Sequence, residues 1–167
     1  GIKSPPRRRG KESIVIDASI AFGTGAHPTT RLVADMVERQ RGHYASFLDI
    51  GTGSGILAVV AARCGATCVW GIDIDQDAID TARRNAVLNR IHFTVLKKAD
   101  IRSFPCRRRF DFVAANLLPD DLVAIRTKLL SLVSLGGYLS VSGIPVSELR
   151  RFRKRFDTKR LRCIRVA

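Results

Sequence analysis

The 167-residue chain lacks any apolar run near the length of about 18 residues that a membrane-spanning helix requires. Its first residues are basic and contain prolines, whereas a secretory signal would have an apolar segment there. Its four cysteines (Cys64, Cys68, Cys106 and Cys163) do not follow metal-ligand spacing, and no other His/Cys pair does. We therefore expect a cytoplasmic protein with reduced thiols, no membrane segment and no bound metal.

Acidic residues are also few, because 15 Asp and Glu stand against 29 Lys and Arg, for a net charge of +14. Such a surface attracts phosphate-rich partners, and the runs Arg7–Arg9, Arg107–Arg109 and Arg150–Arg155 are the patches expected to contact RNA or a ribosome. Few aromatic residues lie between these arginines, so base stacking is not indicated. A basic surface that is only solvated is the alternative.

The length predicts one domain, with residues 1–12 as a basic tail or linker and residues 13–167 as an α/β domain. Alternating strand and helix patterns predict a mostly parallel sheet with helices on both faces. The predicted strands are 14–16, 47–50, 68–72, 93–96, 110–115, 138–141 and 161–166, and the predicted helices start at Pro28 and cover 56–63, 77–89, 119–133 and 146–156. Ligands of such sheets bind at the carboxyl ends of the strands, near the point where the strand order reverses.

The most informative motif follows the strand 47–50 and reads FLDIGTGSG. Asp49 lies within it, and Gly51, Gly53 and Gly55 make a turn in which a ligand can approach the backbone closely, because glycine has no Cβ. The next strand ends at Asp73, whose carboxylate can accept hydrogen bonds from ribose hydroxyls. The spacing is GxGxG, so the GxGxxG dinucleotide fingerprint is not met. GxGxG after an acid is the pattern of methyltransferases that use S-adenosylmethionine (AdoMet).

Two further segments are expected at the same edge of the sheet. Asp100 and Asn116 follow predicted strands, and the Asn116 amide can both donate to and accept from a substrate nitrogen. A plain turn asparagine is the alternative for Asn116. The loop AFGTGAHPTT at 21–30 has an apolar residue and two glycines, and it could cover a ligand. Its alternative is a helix lead-in capped by Thr29 or Thr30, with His27 as a structural or surface residue.

These motifs together resemble the ribosomal protein L-11 methyltransferase family. The resemblance rests on AFGTGAHPTTR, LDIGTGSGILAVVAA, GIDIDQDAI, ANLL and LSVSGI in this order, over roughly residues 13–146. It implies a Rossmann-like AdoMet methyltransferase fold and N-methylation of amino groups of a ribosomal protein. The family also has a separate N-terminal domain for substrate recognition, without a counterpart here, so the resemblance is to the catalytic domain only. Where the family has Pro-Gly before the first motif, this chain has Ala18 and Ser19.

The resemblance implies AdoMet contacts from Thr30, Gly51, Asp73 and Asn116, with Phe22, Gly23 and Thr24 on the methionyl side. Asp49, Gly53 and Asp100 complete the expected cofactor site by their positions at strand ends. Asn116 and the Leu117 carbonyl are the candidates for orienting the substrate amine, and the demethylated product would be S-adenosyl-L-homocysteine (SAH). The alternatives are a methyltransferase of RNA or of a small molecule, and a non-catalytic module that binds RNA or the ribosome.

Overall fold

The computed structural model of the chain describes residues 13–17, 27–156 and 161–163. Its helices are α1 (Pro28–Arg39), α2 (Ile56–Arg63), α3 (Gln76–Leu88), α4 (Pro119–Ala124), α5 (Arg126–Leu132) and α6 (Leu149–Phe156), with a short 3-10 helix at Val146–Glu148 before α6. Its strands are β1 (Ser46–Ile50), β2 (Cys68–Asp73), β3 (Val95–Lys98), β4 (Phe110–Asn116) and β5 (Val133–Ser142). Within the described ranges, every helix is too short or too polar to cross a bilayer.

The strands form one parallel sheet in the order β3-β2-β1-β4-β5. All five residues of β1 are buried, as expected for the central strand of a parallel sheet that is covered on both faces. The chain leaves β1 toward β2 on one side and later returns to β4 on the other. The strand order therefore reverses between β1 and β4, and this places the expected ligand crevice at their carboxyl ends.

Two apolar layers cover the sheet. The layer with α1, α2 and α3 packs residues such as Val37, Val59 and Ala82 against Phe47 and Phe112. The opposite layer packs α4, α5 and α6 on the other face, with Leu48 and Val113 pointing toward it from the sheet. Its members from the helices are Leu122, Leu129, Leu132, Phe152 and Phe156, with Ile125 between α4 and α5. The predicted parallel α/β fold with helices on both faces is thus confirmed.

Local sequence signals account for several element boundaries. Pro28 begins α1, where a missing N–H is not needed. Gly65 follows α2 with a φ of 103°, in the left-handed region that glycine tolerates at a helix end. Asp75 is the N-cap of α3 and accepts from the N–H of Asp77 at 3.0 Å. In the alternative interpretation of the 21–30 loop, Thr29 or Thr30 caps α1, but the N-cap is His27, whose ring accepts from the N–H of Thr29.

Several predicted elements differ from the structure. Residues 14–16 are not a strand; both backbone groups of Val15 bond to the side chain of Asn89, at the C-cap of α3. The predicted helix 119–133 is two helices divided at Ile125, and β5 starts at Val133 instead of Tyr138. The early start of β5 contains Gly136, with a φ of 76°, and a register shift against β4. Residues 161–163 are not in a strand, and the remainder of the predicted strand 161–166 lies outside the described residues.

The buried faces of α1 and α3 also differ in part from the apolar pattern. The apolar period of α1 predicts an inner stripe of Leu32, Val33, Met36 and Val37, of which Val33 and Val37 are buried but Leu32 is 37% exposed. The period of α3 predicts that Ala78, Ile79, Ala82, Ala86 and Val87 point inward, but Val87 is 73% exposed. The expected residues Ile79, Ala82 and Ala86 are buried, and the polar Thr81 and Asn85 are buried beside them, with Asn89 at the C-cap. The inner face of α3 thus includes polar side chains that an apolar period does not select.

Candidate functional site

The glycine turn between β1 and α2 is held against the end of β2. The N–H groups of Gly51 and Thr52 donate to the Ile72 carbonyl at 2.9 and 3.0 Å, and the N–H of Gly53 donates to Asp73 Oδ2 at 2.9 Å. Gly51 and Gly53 have φ angles of 69° and 53°, which favour glycine. A Cβ at Gly53 would meet no heavy atom within 4 Å, so the turn is open to a ligand at this residue.

The Asp73 carboxylate is fixed from two sides. Its Oδ2 atom accepts from Gly53, and its Oδ1 atom accepts from the N–H of Asp75 at 3.0 Å. Each carboxylate oxygen has capacity for a second hydrogen bond. The side chain is partly exposed at the carboxyl end of β2. Asp73 is therefore positioned to accept hydrogen bonds from a donor that approaches the turn.

Asp49 lies beneath the turn, with only 1% of its surface exposed. Its Oδ2 atom accepts from the Thr52 hydroxyl at 2.8 Å, and the carboxylate also accepts from the N–H of Ala58 in α2. Burial raises the pKa of Asp49 to about 7, against the opposing effect of the hydrogen bonds from Thr52 and Ala58, and the nearby Asp73 charge adds to the rise. The Asp49 side chain thus links β1, the turn and α2 through its hydrogen bonds.

Asn116, at the end of β4, lies between α1 and β5. Its Oδ1 atom accepts from the Ser142 hydroxyl at 2.8 Å, and its Nδ2 atom is 3.4 Å from the Thr30 hydroxyl. Thr30 is 5% exposed, in the first turn of α1. The structure thus brings together Thr30 and Asn116, which the sequence placed in the same site, and adds Ser142.

Leu117 contacts both the glycine turn after β1 and the end of β5. Its side chain packs over the glycine turn, since a Cβ at Gly51 would lie 2.5 Å from Leu117 Cδ2. Its N–H donates to the Ser142 carbonyl at 3.2 Å. Its own carbonyl oxygen lies against Gly143, which has a φ of 89° and where any Cβ would collide with that oxygen. The backbone clash requires glycine at Gly143, whereas at Gly51 the φ of 69° favours glycine and a Cβ would displace the Leu117 side chain.

The other predicted site residues are less constrained by the structure. Asp100 is exposed two residues beyond β3, where its Oδ1 atom accepts from the N–H of Arg102 at 2.9 Å. The preceding residue, Ala99, donates to the Asp73 carbonyl at 2.7 Å, so the Asp100 loop begins beside the end of β2. Phe22, Gly23 and Thr24 lie outside the described residues.

Sequence reasoning missed several residues that shape this edge. Ser142 and Gly143 stand at the end of β5, within the LSVSGI motif, and a fifth strand ending there was a signal that could have identified them. Thr52, within the GxGxG motif, holds the buried carboxylate of Asp49. Asn85 donates to the Ser54 carbonyl in the turn at 2.8 Å, and no local pattern pointed to that contact.

A protein-family model and the sequences of known proteins relate this chain to the same group of proteins. The model of the family "Ribosomal protein L11 methyltransferase (PrmA)" matches residues 2–166. The chain is 44% identical over 129 residues to the ribosomal protein L11 methyltransferase of Paraburkholderia phymatum, covering 77% of this chain and 42% of that protein. It is 44% identical over 135 residues to the protein of the same name from Geobacter sulfurreducens, covering 81% of this chain and 44% of the relative. The chain thus spans less than half the length of these relatives.

A solved structure of a protein from this group has a similar fold. The crystal structure of ribosomal protein L11 methylase from Lactobacillus delbrueckii subsp. bulgaricus superposes with a TM-score of 0.72 at 32% identity, covering 78% of this chain and 68% of that one. The family match covers nearly the whole sequence, including every motif at the carboxyl edge of the sheet. The chain belongs to the ribosomal protein L11 methyltransferase family.

Proposed function

We propose that this chain binds AdoMet at the carboxyl edge of its sheet, in the cytoplasm, and transfers the methyl group to amino groups of a protein such as a ribosomal protein. The observation that carries the proposal is the hydrogen bond between the N–H of Gly53 and Asp73, which fixes a glycine turn and an acceptor side by side. Family membership supports the reaction class, and Asn116 on the adjacent strand supplies a polar group for the acceptor side.

The described residues suit the chemical groups of AdoMet. Asp73 has acceptor capacity for two ribose hydroxyls, which are hydrogen-bond donors. The turn is free of side-chain atoms at Gly53, so the ligand can contact its backbone. Gly51, Thr30 and Asn116 lie toward β4, where we place the methionyl part, with Phe22, Gly23 and Thr24 as further contacts. Asp100, beside the end of β2, is placed on the adenosine side, and Asp49 acts by bracing the turn.

When bound, AdoMet would supply a sulfonium methyl group that a neutral amine attacks in line; the new N–C bond forms as the S–C bond breaks, and SAH is the leaving group. A lysine amine has an ordinary pKa of about 10.4, so it must lose a proton before it attacks. Asn116 would accept a hydrogen bond from the amine at Oδ1, which is already oriented by Ser142. The Leu117 carbonyl would be a second acceptor. Alignment of two reactants in this way supplies about 7–11 kcal/mol of barrier reduction in intramolecular analogues.

The acceptor class is tested with methyl-labelled AdoMet and a ribosomal extract, in which label can appear in protein, in RNA or in small molecules. The proposal predicts label in protein, and label only in RNA or in small molecules contradicts it. Asn116→Ala should abolish transfer while SAH still binds, because the cofactor retains Asp73 and the turn. Asp120→Ala, at an exposed position of α4, is the control and should leave transfer unchanged. Unchanged turnover in Asn116→Ala would remove Asn116 from the mechanism.

We also propose RNA contact through the outer face of α6, because its cations are exposed while its aromatic residues are not. Phe152 and Phe156 stack at 5.0 Å and are buried, which anchors the helix. Outward, α6 carries five Arg and Lys residues: Arg150, Arg151, Arg153, Lys154 and Arg155. Arg155 pairs with Asp120, and the group Arg150, Arg153 and Lys154 lines a cavity of about 430 Å³ together with Val146 and Leu149.

The RNA contact is tested by the salt dependence of binding to single-stranded RNA. Alanine at all three positions Arg150, Arg153 and Lys154 should reduce the slope of log K against log salt by about 2, because each phosphate contact contributes about 0.7 in single strands. Alanine at Arg39 and Arg83, on the opposite side of the sheet, is the control. Equal slopes for both variants, or no binding by the wild type at low salt, would leave a basic surface that is only solvated.

A further inference from the structure

A short segment before the first motif is attached to α3 by two buried asparagines. Asn89 contacts Val15 at both backbone groups: its Oδ1 atom accepts from the Val15 N–H at 3.0 Å, and its Nδ2 atom donates to the Val15 carbonyl at 2.6 Å. Asn85, one helical turn earlier, accepts from the N–H of Asp17 at 2.8 Å. Both side chains are almost fully buried, with exposures of 2% for Asn89 and 0% for Asn85. Residues 13–17 are thus held by hydrogen bonds to a helix face instead of to a strand.

Asn85 differs from Asn89 because it also reaches the glycine turn. Its Nδ2 atom donates to the Ser54 carbonyl at 2.8 Å, while its Oδ1 atom accepts from Asp17. A backbone carbonyl can only accept and a backbone N–H can only donate, so these two partners fix which end of the amide is oxygen. Ser54 follows Gly53, whose N–H donates to Asp73. One buried side chain therefore connects residues 13–17 to the turn that faces Asp73.

We propose that Asn85 is a positioning residue that holds the glycine turn in its ligand-binding conformation and couples this turn to residues 13–17. The proposal rests on the proposed binding of AdoMet at the turn. Gly53 and Gly55, on either side of Ser54, both have positive φ, and glycines restrict the backbone little. The first half of the turn is held by β2, through the bonds of Gly51, Thr52 and Gly53. Asn85 adds a contact from α3 to the second half, at Ser54, where water does not compete for the hydrogen bond.

The two asparagines give a matched pair of variants of the full chain. Asn85→Ala and Asn89→Ala each remove a buried amide from the same helix and weaken the attachment of residues 13–17, but only Asn85→Ala releases the Ser54 carbonyl. We expect both variants to lower the unfolding temperature. SAH affinity by calorimetry should fall about tenfold in Asn85→Ala, the scale of one lost buried hydrogen bond, and less than about twofold in Asn89→Ala. Equal losses in both variants, or an unchanged affinity in Asn85→Ala, would overturn the proposal.

A measurement on the wild type keeps the test valid if Asn85→Ala does not fold. Amide hydrogen exchange by NMR reports separately on the N–H of Asp17, bonded to Asn85, and the N–H of Val15, bonded to Asn89. Because coupling is reciprocal, SAH should slow the exchange of the Asp17 amide by about fivefold or more and affect Val15 less. Equal effects on both amides, or none on Asp17 when SAH binds, would refute the coupling. A wild type that does not bind SAH would instead refute the proposed function.

Discussion

Asp49→Asn tests whether the buried carboxylate under the glycine turn is protonated in the folded protein. Burial raises the pKa of Asp49 from its ordinary 3.8 to about 7, so between these values the folded state holds a proton that the unfolded state has released. Stability therefore falls as pH rises from about 4 to about 7, and this contribution is constant outside that window. Each pH unit is worth about 1.36 kcal/mol, so the interval corresponds to a loss on the order of 4 kcal/mol.

An asparagine at position 49 can keep the hydrogen bonds of the Asp49 side chain without its negative charge. Its oxygen can accept from the N–H of Ala58, and the Thr52 hydroxyl can rotate to accept from its amide group. Urea unfolding of both proteins at several pH values from 4 to 8 isolates the contribution of Asp49, because other titrating groups are common to both. The variant should gain stability relative to the wild type as pH rises through this window. A difference between the two proteins that is the same at every pH would refute the account of Asp49.

Three further predictions concern individual residues of the site. Asp73→Ala should weaken SAH binding by about 10- to 100-fold, measured by calorimetry, because charge-assisted hydrogen bonds are lost. Asp75→Ala should lower stability by about 1 kcal/mol in thermal unfolding, through loss of the α3 cap, and leave the SAH affinity unchanged. Gly51→Ala should reduce both stability and SAH binding, because the φ of 69° strains alanine inside the turn and the new Cβ shifts Leu117. Gly42→Ala, with positive φ but open space and no place in the turn, should affect stability alone in the same assays. His27→Ala should destabilise α1 by about 1 kcal/mol without a change in methyl transfer; a large loss of turnover at unchanged SAH affinity would instead assign His27 a catalytic role.

Much of the sheet, and the edge where we place the ligand, could be predicted from the sequence because the interactions that determine them are local. The GxGxG spacing identifies the turn that bears Gly51 and Gly53, and the apolar strand before Asp73 places that carboxylate at the same edge. The acid Asp75, directly before a helical pattern, indicates a helix cap, and the structure places it at the N-cap of α3. These features each depend on a few consecutive residues, and the residue types themselves indicate the backbone conformation that each feature needs.

The features that sequence did not reveal depend on distant partners. The helix break at Ile125 is invisible to an apolar pattern, because the stripe of Leu122, Ile125 and Leu129 continues through it. Asn85 and Asn89 were not placed in the interior, since burial of an amide is favourable only with partners that lie elsewhere in the chain. Those partners are the backbone of residues 15–17 and of the glycine turn, which are far from α3 in sequence.

The central claim, that the edge formed by the glycine turn and Asp73 binds the adenosyl ligand, is tested most directly by calorimetric titration of the purified chain with SAH. We expect saturable binding at one site that is strongly weakened in Asp73→Ala and retained in Asp75→Ala. An absence of heat, together with an unchanged unfolding temperature at high SAH concentration, would contradict the account, as would equal affinity in the wild type and in Asp73→Ala.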